Sequence, residues 1–303
     1  MAVIELKKIL LSNGETMAYR ERSGGDLPVV LVHGNMTSSK HWDLLLDRMD
    51  ERYKLYAVDM RGFGESSNHQ PITSIQDLSL DLKDWADEIG IRDFCLIGWS
   101  TGGAVAMQFA ADHPGYCDRL ILLASASTRG YPFFGTNEDG STDHANRLKT
   151  LEDVKKDKGK TIPVQAAYDT NDREFLRSLW NALIYTDTRP ESELYEEYID
   201  DMRTQRNLAE IYHALNTFNI SDRHNGLVEG NGQASSISIP VLVLRGDRDY
   251  VITKEMTEEI VHDIGENADF TELKNSGHSP LVDDLEQLVE RMESFLQQKE
   301  EIS

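Results

Sequence analysis

Apolar positions along the chain follow two alternating patterns. Short runs that are apolar at nearly every position occur at Pro28–Val32, Tyr53–Val58, Asp93–Ile97, Arg119–Leu123 and Ile239–Leu244, and a further strand is predicted at Asp269–Leu273. Such runs suit strands buried on both faces of a parallel sheet. Between them the spacing changes to three and four. Ile75, Leu78, Leu82, Trp85 and Ile89 make one apolar stripe, so a helix is predicted over Ile75–Ile89. Thr73 with Gln76 offers it a capping box, and Gly90 a left-handed stop. Further helices are predicted over Gly102–Asp112, Lys254–Ile264 and Asp283–Gln297, the last with Leu285, Leu288, Met292, Phe295 and Leu296 inward. At the start of the chain, Val3–Arg22 reads as two strands joined at Ser12-Asn13-Gly14, because Asn-Gly favours a tight hairpin. This alternation predicts an α/β fold, with a mostly parallel eight-stranded sheet flanked by helices.

The alternation stops between residues 125 and 238. Ala145–Lys155, Asp172–Ile184 and Ser192–Leu215 read as helices with no buried-strand run between them. The expected organisation is a core domain of residues 1–124 and 239–303, interrupted by an all-helical insertion of residues 125–238. The tail from Gln298 to Ser303 is expected to fray.

Composition narrows the field. The 303 residues carry a formal charge of −22, which disfavours nucleic acid and anionic membrane as partners. No run of eighteen apolar residues exists, so no integral membrane segment is expected. The first residues lack the apolar core of a signal peptide, and the expected compartment is the cytoplasm. Cys95 and Cys117 are too few for a disulfide framework and are read as packing residues.

One segment carries chemistry. Gly98-Trp99-Ser100-Thr101-Gly102 lies between a predicted buried strand and a predicted helix. A serine on so tight a turn needs an unusual backbone, and glycine two residues to either side removes the clashes. Ser100 is therefore the expected nucleophile, and it needs a base. His278, in Asn275-Ser276-Gly277-His278, follows the last strand at the same sheet edge and is the expected base. Asp249, in Gly246-Asp247-Arg248-Asp249, is the expected orienting acid, with Asp247 as its rival. The amides of Thr101 and Asn35 are the expected donors to a developing oxyanion. His33 is expected to brace the Asn35 loop. No metal-ligand cluster or dinucleotide fingerprint appears, so no cofactor is expected.

With those residues in place, the sequence resembles the α/β-hydrolase family. The matches are Leu31-Val32-His33-Gly34, Asp59-Met60-Arg61-Gly62-Phe63-Gly64-Glu65-Ser66, Gly98-Trp99-Ser100-Thr101-Gly102-Gly103, Gly246-Asp247-Arg248-Asp249 and Gly277-His278, in the family's order. The Asp59–Ser66 stretch is read as a structural loop with Phe63 touching the pocket. The resemblance implies a serine hydrolase acting on a small-molecule ester or oligoester, with the insertion as a helical cap. Dehalogenases and epoxide hydrolases of this fold carry aspartate where Ser100 stands, and so fall away. Perhydrolases, carbon–carbon bond hydrolases and ligand-binding sensors of the same fold stay open. The His33–Ser39, Gly98–Gly103 and Ala124–Phe134 stretches also resemble intracellular short-chain polyhydroxyalkanoate depolymerases of bacilli, although a generic carboxylesterase fits equally well. Phe133, Phe134 and Trp180 are named as substrate-binding candidates, with cap packing as the competing role.

Overall fold

The chain folds as its alternation requires, in a computed structural model that describes residues 3–297. Strands β1 (Ile4–Leu10) and β2 (Thr16–Arg22) form the first hairpin. Its turn carries Gly14 at φ 86° and an Asn13 side chain that accepts the Glu15 N–H at 2.9 Å. Then come β3 (Leu27–Val32), α1 (Asp43–Arg48), β4 (Tyr53–Val58), α2 (Ile75–Ile89), β5 (Phe94–Trp99), α3 (Thr101–Asp112) and β6 (Cys117–Leu123). After the intervening segment the alternation resumes with β9 (Val241–Gly246), α9 (Lys254–Ile264), β10 (Ala268–Leu273), α10 (Pro280–Asp283) and α11 (Leu285–Gln297). The eight core strands form one sheet in the order β1-β2-β4-β3-β5-β6-β9-β10, parallel from β4 to β10.

Burial on both faces explains the unbroken apolar runs. Val30, Val32, Leu96 and Leu122 pack on one side with α2, α3 and α9, while Val29, Leu31, Ile97 and Leu123 pack on the other with α1 and α11. The chain passes from β3 outward to β4, then crosses back to β5 on the other side of β3. Loops leaving the carboxyl ends of β3 and β5 therefore diverge, and the crevice between them is where open α/β sheets bind ligands. Both cysteines are buried and free. Burial pushes the Cys117 thiol up to about 12 and the Cys95 thiol well above its ordinary value, as packing residues require.

Residues 125–238 depart from the all-helical expectation. A small antiparallel ribbon, β7 (Phe134–Thr136) with β8 (Thr142–Arg147), comes first. Ala145 thus lies in a strand, and the helix expected from that point begins only at Leu151. Five helices follow: α4 (Leu151–Lys155), α5 (Thr161–Thr170), α6 (Arg173–Leu183), α7 (Ser192–Met202) and α8 (Leu208–Thr217). The stretch expected as one helix over Ser192–Leu215 is broken between Met202 and Leu208. α2 begins as expected, but its capping box is Ser74 with Asp77 rather than Thr73 with Gln76, and Gly90 closes it at φ 73°. Gln298–Ser303, expected to fray, lie outside the described residues. Among the described residues no helix is long and apolar enough to cross a membrane.

Candidate active site

Ser100 occupies the turn between β5 and α3 at φ 55°, ψ −114°, a conformation that L-residues rarely adopt. Its neighbours permit it by lacking side chains. A Cβ on Gly98 would stand 2.3 Å from the Gly102 carbonyl oxygen, and one on Gly102 would stand 2.1 Å from that of Val32 in β3. The first collision is the one expected across the turn, and the second is with the neighbouring strand. Backbone bonds fix the strained residue: its N–H donates to Leu123 at 3.0 Å, and its carbonyl accepts from Gly103 and Ala126 at 3.0 and 3.2 Å.

His278 and Asp249 meet Ser100 from the loops after β10 and β9. His278 Nε2 lies 3.1 Å from Ser100 Oγ, and its Nδ1 lies 3.0 and 3.2 Å from the two Asp249 carboxylate oxygens. Asp249 Oδ1 also accepts the Val251 and Ile252 amides, at 2.8 and 2.9 Å. Burial works to raise the Asp249 carboxyl, but the charge and hydrogen bond of His278 and the two amides hold it below the usual carboxylate range. An ionised carboxylate only accepts, so Nδ1 donates to it and Nε2 is left to accept from the Ser100 hydroxyl. Gly246 lets the two loops approach, since a Cβ there would fall 2.2 Å from the Ser276 carbonyl oxygen. Asp247 points elsewhere and accepts the Ser276 N–H at 3.2 Å.

Thr101 directly follows the same serine, and Gly34, which precedes Asn35, lies against it. Thr101 is the first residue of α3, where an N–H has no acceptor within the helix. A Cβ on Gly34 would lie 3.2 Å from Ser100 Cβ, so glycine lets this loop close on the elbow. The Asn35 N–H has no acceptor among the described residues, while its side-chain oxygen accepts from Gln205 at 2.7 Å. His33 braces the loop. Its Nε2 accepts the Met60 N–H at 3.0 Å, so Nδ1 donates to the Gly34 carbonyl at 2.7 Å. Phe63 lies edge-on behind this imidazole and is fully buried, so it backs the loop rather than touching a pocket as expected.

Burial lowers the His33 imidazole from 6.5 to about 4. The unfolded chain therefore binds a proton between those values that the folded chain refuses. His33 contributes its full stability above pH 6.5 and loses it as pH falls through about 4. The loss is expected to reach about 3 kcal/mol. Urea unfolding of wild type and His33→Asn at pH 7 and pH 4.5 checks this, and equal pH dependence in both proteins would refute it.

The aromatic candidates occupy different places. Trp180 is 3% exposed and packs 5.3 Å from His41 and 5.2 Å from Tyr185. Phe133 joins Leu148 and Val154 in a small cluster and stacks on Tyr212 at 4.6 Å. Phe134 lies on the ribbon, 5.2 Å from His144. Gln205 and Asp201, which no local motif marks, bring the intervening segment to the site loops, with Thr186 close to Gly277. Thr186 Oγ1 would lie 3.4 Å from a Cβ on Gly277, and Asp201 accepts from Ser38 N–H and Oγ at 2.9 and 2.6 Å.

Known proteins share this framework. Residues 28–285 match the family described as alpha/beta hydrolase fold. The AB hydrolase superfamily protein YisY of Bacillus subtilis is 23% identical over 282 residues, which cover 89% of this chain and 91% of that protein. The solved esterase of Exiguobacterium antarcticum superposes with a TM-score of 0.73 at 18% identity, covering 96% of this chain and 99% of that one. A solved hydrolase from Pseudomonas aeruginosa gives 0.72 at 22% identity, over 96% and 98%. The chain belongs to the alpha/beta-hydrolase fold family.

Proposed function

We propose that the protein hydrolyses carboxylic esters of small molecules or oligoesters through an acyl-enzyme on Ser100. The observation that carries this reading is the unbroken hydrogen-bond chain from Asp249 through His278 to a serine at a strained strand-to-helix turn. In the first step Ser100 Oγ attacks the ester carbonyl carbon as His278 Nε2 takes its proton. The resulting oxyanion receives the amides of Thr101 and Asn35, aided by the amino end of α3. His278 then protonates the leaving alcohol, and water repeats the sequence to release the acid. Residues 125–238 serve as a cap, a role supported by the hydrogen bond of Gln205 to Asn35 and by the ion pair of Asp187 with Arg248 on the loop carrying Asp249.

The test is pre-steady-state. Mixing with p-nitrophenyl butyrate is expected to release a burst of about one p-nitrophenol per Ser100, followed by slower turnover, with the butyryl group on the peptide containing Ser100. Burst and turnover on oligomeric 3-hydroxybutyrate as well would extend the substrate class to polyester. A burst without later turnover would instead identify an acylated sensor. Turnover with no acyl group on Ser100 would sink the mechanism.

A further inference from the structure

We propose that Gln205 is a positioning residue for the Asn35 amide, so that the oxyanion site is complete only when the turn between α7 and α8 is seated against it. The inference rests on the ester-hydrolase reading above. Gln205 is 3% exposed, and its amide orientation is set by its surroundings. Tyr168 donates its hydroxyl to Gln205 Oε1 at 3.3 Å, leaving Nε2 to donate to Asn35 Oδ1 at 2.7 Å and to Asn207 Oδ1 at 3.3 Å. Asn207 is itself fixed through its side-chain amide, which donates to the Arg61 carbonyl at 2.7 Å.

A second hold lies close by on the same loop. The Asp201 carboxylate accepts both the amide and the hydroxyl of Ser38, and His41 Nε2 lies 3.3 Å from Oδ2, the oxygen that accepts the amide. Between the two holds, Met36 has φ 59°, a left-handed conformation unfavourable for a residue with a Cβ. A loop strained in its middle keeps that shape only where its surroundings over-determine it. Here His33 and Thr37 hold the Gly34 carbonyl from the core side, while Asp201 and Gln205, both contributed by the intervening segment, hold Ser38 and Asn35 from outside. Freed from Gln205, the Asn35 peptide can rotate away from Ser100, and the donor is lost where charge develops rather than where substrate first binds.

That distinction gives the test. Gln205→Leu is expected to lower kcat for p-nitrophenyl butyrate about 10- to 100-fold, short of the loss from deleting a donor outright, with KM within about twofold. Binding of butylboronic acid, whose tetrahedral adduct on Ser100 presents an oxyanion, is expected to weaken by the same factor as kcat. Gln205→Glu, which can hold a flipped Asn35 amide, is expected to recover most of both. Tyr168→Phe, which frees the Gln205 amide while keeping the ring, gives an independent reading should Gln205→Leu fail to fold, and a several-fold fall in kcat and boronate affinity is expected. Unchanged kcat in Gln205→Leu or Tyr168→Phe, or a fall in kcat with boronate affinity intact, overturns the proposal. A wild-type protein that neither turns over the ester nor carries an acyl group on Ser100 overturns the ester reading instead, so the two failures are distinguishable.

Discussion

Ser100→Ala is expected to lower kcat on p-nitrophenyl butyrate by about 10⁶-fold, equivalent to roughly 8 kcal/mol of transition-state stabilisation. On the proposed mechanism, the magnitude follows from removing the atom that forms the acyl bond while leaving the amides of Thr101 and Asn35 in place. What remains is attack by water beside the oxyanion donors. His278→Ala is expected to cost about as much, because a serine hydroxyl without a base is a poor nucleophile near neutral pH. The double variant should then be little worse than either single one, since the pair acts as a unit. Additive losses would mean that Ser100 and His278 act in separate steps. The fold should survive: the Ser100 side chain makes one hydrogen bond, to His278, while its backbone bonds to Leu123, Gly103 and Ala126 persist. Ser100→Gly separates activity from strain. At φ 55°, ψ −114° glycine relieves a backbone that costs serine about 1–3 kcal/mol, so this variant should be equally inactive yet melt higher than Ser100→Ala. An identical melting temperature for the two would refute the strain account.

The parts that sequence made legible are those in which one physical requirement acts on many adjacent residues. A central strand must be apolar on both faces, so Tyr53–Val58 and Arg119–Leu123 stand out. An amphipathic helix must repeat, so the spacing predicts the ends of α2 and α9 to the residue. The site was legible for a related reason: a strained serine excludes side chains around it, and the glycines record that exclusion. What escaped is structure held by contacts from elsewhere. Strand β8 reads Thr-Asp-His-Ala-Asn-Arg and is largely exposed, so no alternation announces it. Helix α5 carries Pro163 near its start, which reads as a breaker although the N–H it lacks would have no helical acceptor there. The capping box slipped by one position because Thr73, Ser74, Gln76 and Asp77 offer two registers. Asp77 Oδ2 decides it by accepting the Ser74 amide at 3.0 Å. Gln205 is the instructive miss. The apolar positions Tyr195, Tyr198, Ile199, Met202, Leu208 and Ile211 suggest one long helix, and nothing local marks the break at which a lone glutamine reaches a loop 170 positions earlier.

Asp249→Asn is expected to lower kcat about 10⁴-fold, whereas Asp247→Asn leaves it within about threefold. The two carboxylates face different partners. Asp249 Oδ1 receives the Val251 and Ile252 amides, so that position demands an acceptor. An asparagine satisfies it by placing its carbonyl oxygen there, which turns its NH₂ toward His278 Nδ1. Two donors cannot face each other, so the imidazole surrenders the Nδ1 proton and carries one on Nε2 instead. The nitrogen that should accept from Ser100 is then itself a donor, and the loss is one of tautomer rather than of geometry. Because Asp249 is held below the usual carboxylate range, its own protonation does not contribute to the acid limb of activity near neutral pH. The deficit in Asp249→Asn should shrink at high pH, where hydroxide can take the Ser100 proton in place of the imidazole, and a pH–rate profile of the variant reads this directly. Asp247 Oδ1 accepts the Ser276 amide and faces no imidazole, so its substitution disturbs a turn and leaves the tautomer alone. Equal losses from the two substitutions, or a deficit in Asp249→Asn that does not change with pH, would show that Asp249 does not set the tautomer of His278.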